Sequence, residues 1–500
     1  VLVESIERGA ARYGERSAIV SGDGWSLSYR DLDRLTDEAA VGLAARGIGE
    51  GDVVALLLPS TPDYLVAYGA LAKLGAISAG VNPRLAPPER SVLVTDVAGA
   101  HHAIVTRDLA EGVHLPESVI ELALAPDASR LLHEVRVRDA TPARLPDDPD
   151  RVVAIVFTSG STGRPKGAVF TDGRIRAAAL IERGNGWGEG GPITANTQFC
   201  HVGFMVKVAA QLTDGTTTHV IDPWSATAIL ESVSRHRMPA VGGVAPQIAM
   251  LLRHPDFDSY DFSHTTLIVS GGAPASGALI AEARARFGAD WTLRYALTET
   301  GGCGTFTPVD ASEDEMLTTV GRPRAGMTVR IVDDAGRMLP AGEVGVVAMH
   351  GASIMREYWR DPEATARAFT DGFVRTGDEG FLDERGCLRL LGRRGESYSR
   401  GGDTVFPQEV EHVLGWHPAI AQVAIVPRPD DVLGAIGVAV VVPRPSAPPP
   451  TLEALRRFGA AHLARYKLPE ALRIVDHLPQ TAMLKVDRRA LLEAEAQNTH

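Results

Sequence analysis

The chain has 500 residues, 45% of them hydrophobic and 22% charged, with a formal net charge of −12. That length exceeds what one compact core holds and implies at least two domains. The acidic balance argues against a nucleic-acid surface, and no apolar run approaches the roughly 20 residues of a membrane helix. Cys200, Cys303 and Cys387 are scattered and odd in number, which gives no metal-ligand spacing and fits reduced thiols in a cytoplasmic protein. No signal peptide opens the chain, although it also lacks an initiator Met.

Taken in chain order, residues 1–150 alternate between helix-like and strand-like segments. Tyr29 to Leu43 has helical periodicity, Asp52–Leu58 reads as a strand, Leu65–Leu74 as a buried helix and Ala76–Val81 as a strand. Thr141–Asp150, rich in Pro and Asp, reads as a surface loop leading into the apolar run Val152–Phe157, a buried strand. Gly184–Gly191 has no strand before it and reads as a connection, not a dinucleotide loop. Further strands are expected near Leu267–Val269 and Val344–Met349. After Gly392 the pattern changes to a smaller unit with strands Val423–Val426 and Gly437–Val442. There the Pro-rich Arg444–Pro450 reads as a surface turn, followed by a helix from Leu452 to about Tyr466. This alternation argues for an α/β architecture, with a large multi-layer N-terminal domain over residues 1–392 and a small, separate C-terminal α+β domain over 393–500.

The strand Val152–Phe157 opens into Thr158-Ser159-Gly160-Ser161-Thr162-Gly163-Arg164-Pro165-Lys166-Gly167. Glycines let backbone N–H groups approach a phosphate, hydroxyls donate to its oxygens, and Lys166 adds a point charge. Lys166 is followed by Gly and not by Ser or Thr, and Pro165 stiffens the segment, so this is not a Walker loop. It resembles the phosphate-binding loop of the acyl-adenylate-forming superfamily, which includes acyl-CoA synthetases, adenylation domains of peptide synthetases and luciferases.

The resemblance extends over nearly the whole chain, and it implies roles for further residues. Tyr295-Ala-Leu-Thr-Glu299 is similar to the motif in which an aromatic residue stacks on adenine, here Tyr295. In it Thr298 donates to the α-phosphate and Glu299 holds Mg²⁺, with Thr158 as a second metal contact. Ala296 stands where the family usually has glycine. Gly271, Gly272, Ala273 and Pro274 look like the adenine-side segment. Thr376-Gly-Asp378 resembles the ribose motif, with Asp378 accepting from both ribose hydroxyls and Arg393 as a second contact. His201, in Cys200-His-Val-Gly203, either lines the acyl pocket or is structural. Lys485, in Leu478-Pro-Gln-Thr-Ala-Met-Leu-Lys485, would reach the α-phosphate and the substrate carboxylate during adenylation. Arg400, Gly401 and Gly402 would line the path of the CoA thiol arm, with Arg400 either at a CoA phosphate or simply solvated. Gly395 stands at the hinge.

Four further positions depart from the family pattern: Asp172, Gly395, Leu484 and Glu357. Leu484, replacing a glycine beside Lys485, puts the adenylation half-reaction in question. Three readings therefore follow. The first is an acyl-CoA ligase using ATP, Mg²⁺ and CoA by way of acyl-AMP. The second is an enzyme that takes a preformed acyl-adenylate from a separate adenylating enzyme and only transfers it to CoA. The third is a stand-alone adenylation enzyme that loads a carrier-protein thiol. Small residues in segments that line the family's acyl pocket, around Val244, Gly271, Gly272 and Gly301, leave room for a bulky apolar acid. A monomer or homodimer is expected.

Overall fold

The apolar runs of the first 171 residues assemble into a six-stranded sheet. Its strands are β1 (Val53–Leu57), β2 (Ile77–Gly80), β3 (His102–Thr106), β4 (Ser118–Leu122), β5 (Val152–Thr158) and β6 (Lys166–Thr171), in the order β4-β3-β1-β2-β5-β6. The computed structural model describes the chain apart from residues 159–164, 184–189, 196, 273–274, 276, 446, 482–485 and 498–500. All pairings in this sheet are parallel except β5 with β6. Every residue of β1 is buried. Val54 and Leu56 meet the helices Tyr29–Ala44 and Pro62–Leu74 on one face, while Ala55 and Leu57 meet Leu93, Val94 and Val105 on the other. Burial on both faces is why this strand reads as a continuous apolar run. The helix Pro62–Leu74 begins three residues earlier than expected because Pro62 occupies its first turn, and it stops at Gly75, whose φ of 72° is left-handed.

A second sheet runs in the order β7 (Ala240–Gly243), β8 (Leu267–Gly271), β9 (Asp290–Ala296), β10 (Gly304–Phe306), β11 (Arg322–Pro323). A third, antiparallel sheet holds β12 (Met327–Val332), β13 (Gly345–Gly351), β14 (Phe373–Leu382) and β15 (Leu388–Arg393). A fourth is formed by Ser26–Ser28, Ser17–Val20, Thr217–Val220 and Pro192–Ala195.

From Tyr398 onward the chain builds its own sheet from β16 (Tyr398–Arg400), β17 (Asp403–Val405), β18 (Ile420–Asp430), β19 (Gly434–Pro443) and β20 (Ala471–Ile474). β18 and β19 form a long antiparallel hairpin, so both strands extend beyond the short apolar runs that signalled them. The helix expected to reach Tyr466 ends at Gly459. The chain turns there: the Leu463 N–H bonds the Gly459 carbonyl at 2.8 Å, and Leu463 and Tyr466 pack onto the small-domain core. A Cβ at Gly459 would stand 2.8 Å from Leu468 Cδ2, so glycine permits the close return. Among the described residues no helix is long and apolar enough to cross a membrane.

Candidate active site

Thr158 and Lys166 pair across the β5–β6 hairpin. The chain that enters the glycine-rich segment thus returns as a strand and not as a helix, the reverse of a Walker loop. Ser159, Gly160, Ser161, Thr162 and Gly163 lie outside the described residues. The segment 356–359 runs along β6. Arg356 N–H donates to the Val169 carbonyl at 2.9 Å, Val169 N–H to the Glu357 carbonyl at 3.0 Å, and Trp359 N–H to the Gly167 carbonyl at 2.7 Å. A Cβ at Gly167 would stand 2.6 Å from Ile155 Cγ2, so a side chain there would push against that neighbour.

This docking brings the buried Tyr358 to the centre of the site. Lys166 Nζ sits 4.8 Å from its ring centroid, a cation–π contact, and its hydroxyl donates to Glu299 Oε1 at 2.7 Å. Burial, and after it the Glu299 charge, raise the Tyr358 pKa far above the phenolic range, so the hydroxyl stays a donor. Lys166, Tyr358 and Glu299 therefore form one connected row. Sequence reasoning missed Tyr358; its only signal was its place in the Glu357-Tyr358-Trp359 run.

Thr298 and Glu299 lie in a single 3₁₀ turn, Thr298–Thr300, at the end of β9. The turn is pinned from outside, since Met355 N–H donates to the Glu299 carbonyl at 2.8 Å. Gly301 closes it with φ 70°, and a Cβ there would stand 2.5 Å from the Ser353 carbonyl oxygen. Among the described residues Glu299 Oε2 takes no hydrogen bond, which leaves a carboxylate oxygen available to a hard cation. Among those residues no group of three or more His, Cys, Asp or Glu side chains converges. That donor set fits Mg²⁺, which keeps several waters and takes one or two carboxylates plus substrate phosphates.

Tyr295, Asp378 and Arg393 meet in a second cluster. Asp378 is buried and faces Arg393 across the β14–β15 pairing. Arg393 Nε contacts Asp378 Oδ1 at 2.9 Å, Arg393 Nη1 donates to the Thr376 carbonyl at 3.2 Å, and the Tyr295 hydroxyl donates to Asp378 Oδ2. Burial, then Asp378, raises the Tyr295 pKa well above its ordinary value. Gly377 has φ 77°, so the glycine allows the left-handed turn there.

Around this core, His201 precedes the short helix α1 (Val202–Met205), its carbonyl accepting from the N–H groups of Phe204 and Met205 at 3.0 and 2.9 Å. Val244 is half-buried and caps α2 (Ala245–Leu252). Gly271 pairs with Arg294, Ala296 pairs with Gly304, and Gly272 has φ 75°. Ala273 and Pro274 lie outside the described residues. The three cysteines are free and buried, and burial pushes the Cys200 thiol up to about 12, so it is no nucleophile.

In the small domain, Arg400 pairs with Asp403, which leaves Gly401 and Gly402 as a two-residue hairpin turn with φ 59° and 94°. Positive φ at both turn positions accounts for both glycines. Arg400 is engaged by Glu470. Gly395 has φ 86° and open space around a would-be Cβ. It lies between Arg393, held on Asp378, and Glu396, which contacts Arg488 at 3.1 Å. Leu484 and Lys485 lie outside the described residues; Gln480 and Val486 form an isolated antiparallel bridge.

The row offers a cation and a carboxylate, and the second cluster offers a buried carboxylate paired with an arginine. Residues 6–359 match the family described as AMP-binding enzyme, and residues 409–485 match the AMP-binding enzyme C-terminal domain. The chain belongs to the AMP-binding enzyme family. It is 31% identical over 485 residues to an indoleacetate–CoA ligase of Aromatoleum aromaticum, covering 95% of this chain and 94% of that one. It is 30% identical over 484 residues to a fatty acid–[acyl-carrier-protein] ligase of Streptomyces coeruleorubidus, covering 94% and 92%. Among solved structures it resembles the amide bond synthetase McbA of Marinactinospora thermotolerans, with a TM-score of 0.87 at 28% identity over 99% and 100% of the two chains. Its activity is that of an AMP-forming acyl-CoA ligase, which draws on ATP, Mg²⁺ and CoA.

Proposed function

We propose that this ligase activates a bulky carboxylic acid, apolar over most of its length, and that the row Lys166–Tyr358–Glu299 and the cluster Tyr295–Asp378–Arg393 together hold the nucleotide. The observation that carries this reading is the Tyr358 hydroxyl bond to Glu299 at 2.7 Å with Lys166 over the same ring, which ties a phosphate-binding cation to a cation-binding carboxylate. Lys166 and Thr158 orient the phosphates. Thr298 donates to the α-phosphate as charge builds there. Asp378 and Arg393 fix the ribose, and Tyr295, its hydroxyl tied to Asp378, presents its ring to the base. Glu299 with Thr158 would hold Mg²⁺, which would supply neutralisation of phosphate charge when bound. Lys485 approaches the same oxygens from the small domain.

Residues 1–392 act as the body and 393–500 as the part that turns about Gly395, bringing the Gly401–Gly402 hairpin to the CoA arm in the second half-reaction. Arg400 meets a CoA phosphate only if its pair with Glu470 opens. His201, Val244, Gly271, Gly272 and Gly301 line the acyl pocket, and Ala273 and Pro274 flank the adenine. The enzyme works in the cytoplasm as a monomer or homodimer.

A second reading, transfer to a carrier-protein thiol, is favoured by the identity to the carrier-protein ligase of Streptomyces coeruleorubidus. The test is acid-dependent exchange of labelled pyrophosphate into ATP across a panel of aryl and fused-ring acids, wild type against Glu299→Gln. Exchange with at least one acid, lowered about a hundredfold or more in Glu299→Gln, supports the reading. Exchange with none of them contradicts it.

A further inference from the structure

Beyond the nucleotide site, four charged side chains meet in the interior. Glu182 lies within 3.0 Å of Lys207 Nζ and 3.1 Å of Arg294 Nη1, and it also accepts from Arg324 Nη1. Their side chains are 9%, 16%, 15% and 3% exposed, respectively. Burial pushes the Glu182 pKa up, but the three cations override it and hold the carboxyl at about 2, so it is ionised. Cys303, 3.9 Å away, adds no negative charge, because burial raises its thiol pKa. Three cations thus contact this carboxylate. Arg324 is the telling member. Its Nη1 bonds Glu182, while Nε and Nη2 are buried with no hydrogen-bond partner among the described residues. Buried N–H groups of a guanidinium left unpaired are costly, and the remedy a binding site offers is an anionic ligand.

The cluster grows from the same segments as the acyl pocket of the reading above. Lys207 N–H donates to the Phe204 carbonyl at 3.1 Å, just past the short helix that His201 precedes, and a Cβ at Gly302, next to Gly301, would stand 2.6 Å from Lys207 Cε. Arg294 pairs with Gly271. The Arg324 N–H donates to the Gly304 carbonyl at 3.0 Å. From this we infer that the acid substrate carries a second anionic oxygen group, such as a carboxylate, at the end remote from the carboxyl that is activated. Arg324, with Lys207 and Arg294, receives that group in the pocket floor. Small glycines line the apolar middle of the acid and the cations terminate it. This inference rests on the acyl-ligase reading and names its substrate class.

The experiment uses matched pairs of acids that share one body and differ only at the far end, methyl against carboxylate. The bodies are aryl, fused-ring and linear, and the readout is ATP-dependent AMP release by the full-length enzyme. The expected result is kcat/KM at least about tenfold higher for the carboxylate-bearing member. Arg324→Met and, independently, Lys207→Met should collapse that ratio towards one, chiefly through KM. A merely structural role would lower both members alike and leave the ratio intact; that result, or preference for the methyl member, overturns the inference while the ligase reading stands. AMP release from no pair overturns both.

Discussion

Replacing Tyr358 by Phe removes one oxygen atom from the centre of the site. The ring stays, so the contact with Lys166 Nζ at 4.8 Å is kept, and the backbone bonds that dock 356–359 on β6 are untouched. What is lost is the hydroxyl donor 2.7 Å from Glu299 Oε1. A hydrogen bond to a charged acceptor contributes about 1.5–3 kcal/mol, a factor of roughly 10 to 150 in an equilibrium constant. Removing an outer partner of a metal-binding carboxylate generally lowers metal affinity by about 10–100-fold, which is the same range reached independently. With the donor gone, Glu299 is free to leave the orientation that this bond imposes on it. The Mg²⁺ concentration for half-maximal AMP formation should therefore rise by about 10–100-fold, while kcat at saturating Mg²⁺ stays within about threefold of wild type. The assay is a Mg²⁺ titration at fixed ATP and acid, with circular dichroism to confirm folding. Half-saturation within twofold of wild type, or a kcat loss that Mg²⁺ does not restore, would refute the argument that Tyr358 acts through Glu299.

Three further outcomes follow from the same geometry. Asp378→Asn removes the charge that pairs with Arg393 at 2.9 Å, and KM for ATP should rise by about tenfold or more; an unchanged KM would remove Asp378 from the nucleotide site. Lys485→Ala should lower adenylation by about 10²–10³-fold and spare thioester formation from synthetic acyl-adenylate, a split seen by running the two half-reactions separately. The third outcome concerns stability. Burial, then the neighbouring His236 ring 4.0 Å away, pushes the His219 imidazole down to about 4, against about 6.5 when unfolded. Below pH 6.5 the unfolded chain takes up the proton first, so the stability present above 6.5 is lost as pH falls from 6.5 towards 4, by about 3 kcal/mol when complete. In chemical denaturation at stepped pH, His219→Gln should lack that part of the slope; an identical pH dependence would assign the loss to other groups.

The sequence revealed the strands and the motif residues for different reasons. The strand β1 was legible because it is buried on both faces, and the glycine-rich segment because few chemistries require that composition. Thr298, Glu299, Asp378 and Arg393 became candidates only through order along the chain, since nothing local separates Asp378 from an ordinary Asp after Gly in a turn. Tyr358 was not legible, because its bond to Glu299 spans 59 positions and depends on the docking of 356–359 along β6. The same is true of Glu182, Lys207, Arg294 and Arg324, which local pattern would assign to a solvated surface. The glycines at 401 and 402 carried a functional reading, yet the hairpin explains both by φ alone. The over-long helix at Leu452 failed because periodicity continued past Gly459 while the fold demanded a turn.

The measurement that tests the central claim most directly compares two routes to one product. Purified protein is given an acid with ATP, Mg²⁺ and CoA, and in a parallel reaction the synthetic adenylate of that acid with CoA alone. Thioester and AMP are quantified by mass. The account predicts thioester from both routes, with one AMP per thioester in the first. Thioester from the adenylate alone would contradict it, showing that Lys485 beside Leu484 no longer supports adenylation and that the activated acid must come from another enzyme.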